Sequence, residues 1–99
     1  MRLTSQQTDV IRTAVARCYG EESAVYVFGS RLDDSRRGGD IDLLMVTPLS
    51  GQDAFDAEQR LHGRLQRLLG ERKIDIITHS ADTPLEGVRR HALEAGVRL

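Results

Sequence analysis

Between Val25 and Val46 two short apolar runs flank a polar, glycine-rich loop, and this layout constrains the fold more than any other feature of the chain. The first run, Ala24 to Phe28, leads directly into Gly29-Ser30; the second runs from Asp40 to Val46 and opens on two acids one residue apart. Short apolar runs rich in valine and bounded by glycine read as buried strands, the first of them covered on both faces. Side chains on a strand alternate faces, so Asp40 and Asp42 point the same way with Cα atoms about 6.6 Å apart. Ile41, Leu43 and Met45 point the other way. Two carboxylates at the mouth of an apolar strand are costly unless something offsets their charge, and a divalent cation does so well. The passage therefore reads as a catalytic site.

The remaining elements follow from periodicity and caps. Thr4 with Gln7 forms a capping-box pattern, and Val10, Ile11, Ala14, Val15 and Cys18 repeat on one face of a helix over 5–18 that stops near Gly20. Ser30 is a competent N-cap for a brief helical turn through Arg31-Leu32-Asp33, and Gly38-Gly39 lets the chain swing back into the second strand. After Thr47-Pro48 and a turn at Ser50-Gly51, a long helix over 52–69 carries Ala54, Ala57, Leu61, Leu65 and Leu68 as its apolar stripe and ends at Gly70. Lys73 to Thr78 reads as a third strand, with Asp75 and Ile77 on one face and Ile74 and Ile76 on the other. Thr83-Pro84-Leu85-Glu86 combines an N-cap, a first-turn proline and a capping-box acid, so a last helix starts there, buries Leu85, Val88 and Ala92, and ends near Gly96. The order helix, strand, strand, helix, strand, helix gives an α/β (α+β) domain: one mixed β-sheet covered by helices.

Bulk properties narrow the function. With 99 residues the chain is expected to form one domain with no second lobe to hold a substrate. No stretch resembles a membrane span or a signal peptide, and the single cysteine, Cys18, excludes an internal disulfide; a cytoplasmic protein is expected, with Cys18 as core filler. A net charge of −1 provides no overall field that recruits nucleic acid. Arg60, Arg64 and Arg67 recur at helical spacing among acids, which reads as a solvated helix face, with a partner or acceptor surface as the other reading. The three histidines, His62, His79 and His91, lack metal-ligand spacing and read as surface or boundary residues. His79, just beyond the Asp75 strand, is the one to check near a ligand.

Gly29-Ser30, Asp40-Ile41-Asp42 and the later Asp75, in that order and each at its strand, resemble the nucleotidyltransferase superfamily whose fold is the palm of DNA polymerase beta. The closest resemblance is to the minimal nucleotidyltransferases, and it covers nearly all of residues 1–99, including Phe28-Gly29-Ser30-Arg31. The resemblance implies that Asp40, Asp42 and Asp75 are catalytic and hold two Mg²⁺ ions, and that Gly29, Ser30 and Arg31 bind the phosphates of ATP or another nucleoside triphosphate. Arg36 and Arg37 are loop arginines that either neutralise phosphate charge or are solvated. The loop departs from many members at Asp33-Asp34, where an Arg-Gly pair is common.

The chemistry supports these roles independently. Nucleotidyl transfer needs an acceptor oxygen aligned with the α-phosphorus, and two cations about 3.5–4 Å apart stabilise both attacking and leaving oxygens. Gly29 lets phosphate oxygens approach the backbone, and a turn beginning at Ser30 presents N–H groups to an anion. The expected activity is transfer of a nucleoside monophosphate, AMP from ATP, to a hydroxyl. As implied by the resemblance, the acceptor is a tyrosine of a HEPN-domain toxin, with this chain as its antitoxin in a hetero- or homo-oligomer. Two alternatives stand beside it: a non-catalytic binding antitoxin or assembly subunit, and transfer to a small molecule or RNA.

Overall fold

The computed structural model describes residues 3–29, 41–70 and 72–99. Ser30, Arg31, Arg36, Arg37 and Asp40, together with the turn expected after Ser30, lie outside the described residues. The elements, in chain order, are α1 (Ser5–Tyr19), β1 (Ala24–Phe28), β2 (Ile41–Val46), α2 (Gly51–Leu69), β3 (Ile74–His79), α3 (Gly87–Ala95) and β4 (Val97–Arg98).

Local chemistry accounts for the helix ends. The Gln7 N–H donates to Thr4 Oγ1 and the Thr4 N–H donates to Gln7 Oε1, each at 3.0 Å, which completes the expected capping box of α1. Gly70 ends α2 at φ +84°, a left-handed conformation that glycine adopts without a Cβ penalty. The last helix differs from expectation and begins at Gly87. Thr83 does not cap it, because its hydroxyl turns back to accept the Ser80 N–H at 2.8 Å and donate to the Ser80 carbonyl at 3.2 Å. The turn this makes is docked on the start of α2, where the Asp82 carboxylate accepts the Gly51 N–H at 3.1 Å and Leu49 O accepts the Ala81 N–H. Ser50, the N-cap of α2, makes no side-chain cap bond, so Asp82 supplies that interaction from another part of the chain.

The sheet order is β3-β2-β1-β4, parallel between β2 and β3 and antiparallel elsewhere, which is the mixed sheet expected. The odd positions of β1 and β2 and the even positions of β3 share the face that packs on α1 and α2. Val25, Val27, Ile41, Leu43, Met45 and Ile74 meet Ile11, Ala14 and Val15 of α1 and Ala57, Leu61 and Leu65 of α2 in one core, with Cys18 packed at its margin as expected. Among the described residues the opposite face is covered by the nine-residue α3, whose buried Ala92 and the fully buried Leu44 mark the second layer. β1 therefore alternates instead of being buried on both faces: Val25 and Val27 are buried, while Tyr26 and Phe28 are half-buried. Val88 is exposed and Leu85 half-buried, because so short a helix presents only one turn to the sheet. Leu68, expected in the α2 stripe, is 54% exposed.

β4 was not anticipated. Val97 and Arg98 pair with Val27 and Tyr26, and the approach is tight at Gly96, where an added Cβ would lie 3.2 Å from that of Tyr26 and 3.3 Å from Val27 O. Leu99 then joins the margin of the core.

Candidate active site

The β-sheet register brings together residues from three strands. Phe28 pairs with Asp42 across the antiparallel β1–β2 ladder, and Asp42 pairs with Asp75 across the parallel β2–β3 ladder. Partners in register share a face, so these three side chains form one row on the α3 side of the sheet, on strands about 4.8 Å apart. Asp42 stands between the fully buried Ile41 and Leu43, which point into the helical core. Its carboxylate is half-buried, while the Asp75 side chain is 49% exposed.

Gly29 closes the third side. It follows the last residue of β1 at φ +73°, and an added Cβ would collide with Asp42 Oδ2 and lie 3.1 Å from Asp42 Cγ. The backbone here approaches the carboxylate so closely that only hydrogen fits. Both the conformation and the contact require glycine.

A divalent cation fits this donor set. Two carboxylates side by side supply the hard oxygen ligands that Mg²⁺ prefers, and their mutual repulsion is what a cation offsets. Asp42 and Asp75 would hold it. No group of three or more His, Cys, Asp or Glu placed to hold a metal occurs among the described residues, and Asp40, the expected third carboxylate, lies outside them.

Two residues at this site were missed by the sequence reading. Lys73 Nζ lies 3.9 Å from Asp75 Oδ2, and its signal was positional, since residues two apart at a strand's start share a side. With 68% of its side chain exposed, this pair contributes little stability, and its effect is a local positive charge. Phe28 takes its place from the antiparallel register with Asp42, which no local pattern encodes.

His79 is not part of this site. It pairs with Val46 at the opposite end of β3, four residues and about 13 Å along the strand from Asp75. Its Nδ1 is buried with no hydrogen-bond partner among the described residues. His62 Nε2 lies 3.1 Å from the Ile74 carbonyl and braces α2 against β3, and His91 is exposed.

Away from the acids, the buried polar groups serve the scaffold. The Tyr19 hydroxyl lies 2.8 Å from Thr78 Oγ1, which donates to Glu58 Oε1 at 2.8 Å, linking α1, β3 and α2. Burial pushes the Tyr19 phenol well above its usual range, and the nearby Glu58 charge adds to the shift. Asp82 is held below the usual carboxylate range, chiefly by the Ser80 hydroxyl at 2.7 Å and then by the Gly51 N–H.

The nucleotidyltransferase domain family is the one whose model matches, and the match covers residues 9–98. None of the curated proteins matches the chain.

Proposed function

The chain belongs to the nucleotidyltransferase domain family, and from that premise we propose that it transfers a nucleoside monophosphate, AMP from ATP, to a hydroxyl group on a partner protein. The observation that carries this reading is the register pair of Asp42 and Asp75 with Gly29 pressed against the Asp42 carboxylate. Structural needs alone explain it poorly, since two adjacent like charges on one face destabilise a sheet.

In this reading Asp40, Asp42 and Asp75 hold two Mg²⁺ ions, which when bound would neutralise the triphosphate and stabilise the attacking and leaving oxygens. Gly29, Ser30 and Arg31 receive the phosphates: the glycine permits close approach, and the serine and arginine donate to phosphate oxygens. The acceptor oxygen forms a bond to the α-phosphorus as the bond from that phosphorus to the bridging oxygen breaks, and pyrophosphate departs. Asp75, the more open of the two described carboxylates, takes the acceptor's proton. Lys73 beside it places a positive charge next to that carboxylate.

The acceptor in this proposal is a tyrosine of a HEPN-domain toxin, whose modification makes the chain an antitoxin. Support comes from the exposure of Asp75: about half of its side chain is open, so a protein side chain can reach it. The test is transfer of label from α-labelled ATP, with Mg²⁺, to proteins of a host lysate by wild type and by Asp42→Asn/Asp75→Asn. A band labelled by wild type alone supports transfer and gives the acceptor's size. Absence of label from both, with a stable partner still co-purifying, would leave a binding antitoxin without turnover.

A further inference from the structure

α1 and α2 pack on the side of the sheet away from Asp42 and Asp75, and a groove runs along their outer surfaces. One end, about 380 Å³, is walled by Val10, Ala14 and the 54%-exposed Leu68. The other, about 300 Å³, lies around Gly63 and is rimmed by Arg60, Arg64 and Arg67 of α2 with Arg17 of α1. Arg17 and Arg64 line both, so the two cavities adjoin along the helix pair.

Among the described residues none of these four arginines makes an ion pair or a side-chain hydrogen bond. Lys73–Asp75 is the ion pair found among the described residues, and the arginine side-chain hydrogen bonds there belong to Arg89 and Arg90. Four arginines thus line one cavity in a chain whose net charge is −1. Their like charges repel, which an acidic partner would offset.

We propose that this groove docks an acidic amphipathic helix of a partner protein, with one apolar side chain against Leu68 and Val10 and its carboxylates on Arg17, Arg60, Arg64 and Arg67. Two packed helices leave a channel shaped for a third, and such helices are read through anchors at i, i+3, i+4 and i+7. Arg60, Arg64 and Arg67 have the matching spacing and span about 10 Å of α2. Arginine suits the role, since its planar fork takes a carboxylate through two hydrogen bonds.

Nucleic acid fits less well. No aromatic side chain lines the groove to stack a base, and Asp9 at its apolar end would repel a phosphate. The inference does not depend on the catalytic reading, because the sheet separates the groove from the acid row.

The test uses the full chain and a synthetic helix-forming peptide with glutamates at i, i+4 and i+7 beside a single leucine. Binding is followed by fluorescence anisotropy, with a leucine-to-serine peptide and a single-stranded RNA of equal charge as controls. Wild type should bind the peptide with an affinity that falls as salt rises, and Arg60→Glu/Arg64→Glu should weaken it by about ten-fold or more. The serine peptide should bind the wild-type protein more weakly, a result that does not depend on how the variant folds, and Arg67→Glu at an exposed position gives a milder second variant. Equal affinity for both peptides, no binding at millimolar peptide, or tighter binding of the RNA would overturn the proposal. So would a wild-type dimer in sedimentation that the double variant abolishes, since the groove's occupant would then be a second copy of this chain.

Discussion

Replacing Gly29 by alanine, with Gly70→Ala as its control, separates backbone strain from the close approach to Asp42. Both glycines have positive φ, +73° and +84°, but an added Cβ at Gly70 meets nothing within 4 Å, whereas at Gly29 it meets the Asp42 carboxylate. Left-handed backbone costs a non-glycine residue about 1–2 kcal/mol, so Gly70→Ala should lose that much. For a domain of this size the loss corresponds to roughly 4–8 °C in Tm per kcal/mol. At Gly29 a further overpacking cost of about 1–3 kcal/mol applies, because the 3.1 Å separation from Asp42 Cγ is well inside ordinary carbon contact and the carboxylate must move. Urea unfolding measures both costs. Mn²⁺ titration and label transfer then report on the carboxylate itself, and misplacement by about 1 Å can cost on the order of 10²-fold in rate. Gly70→Ala should keep full metal affinity and transfer per folded molecule, and Gly29→Ala should lose both. If Gly29→Ala loses no more stability than Gly70→Ala and transfers label normally, the contact between Gly29 and Asp42 has no functional consequence and the argument built on it fails.

Other perturbations address the scaffold. Leu61→Ala, at a fully buried position between α2 and the sheet, should cost about 2–5 kcal/mol in urea unfolding. Asp82 has a folded pKa below its unfolded one, so its contribution is complete above the unfolded value of about 3.9 and is lost as pH falls through the folded value. Stability measured down that acid range should slope less in Asp82→Asn than in wild type. Tyr19 is shifted the other way: the fold favours the neutral phenol, so its contribution is intact below about pH 10 and declines as pH rises beyond that. Tyr19→Phe should remove that alkaline loss in thermal melts, at a cost near neutral pH of about 0.5–1.5 kcal/mol for the hydrogen bond to Thr78.

What was legible in the sequence is what local rules and parity determine. Alternation placed Ile41, Leu43 and Met45 in the core and Asp42 opposite them, and periodicity found the faces of α1 and α2 that bury Ile11 and Leu61. The start of α3 was misread for a physical reason: Thr83 offered the chemistry of a cap, but Ser80, three residues back, competed for the same hydroxyl and won. β4 carries no signal of its own, since two residues have no period, and their pairing depends on where Gly96 meets β1. Leu68 fitted the α2 stripe by spacing, yet what faces it is set by tertiary packing, which leaves it in a groove. Within the candidate site, Asp75 was legible as an acid on a strand. That it stands opposite Asp42 follows from a parallel pairing that no local pattern encodes.

That pairing is nevertheless well determined, and the same burial that holds the fold together determines it. Parallel β2 and β3 require a crossover, which α2 supplies while laying Ala57, Leu61 and Leu65 on the face of the sheet opposite the acids. A slip of β3 by one residue would flip its side chains to the opposite faces. Asp75 would then enter the core beside Leu61, and Ile74 would leave it. Burying an unpaired carboxylate costs several kcal/mol, and exposing a buried isoleucine forfeits about 1.5–3 kcal/mol more. Together these match much of a small domain's net stability of about 5–15 kcal/mol. The register that sets Asp75 against Asp42 is thus enforced from the side of the sheet opposite the acids.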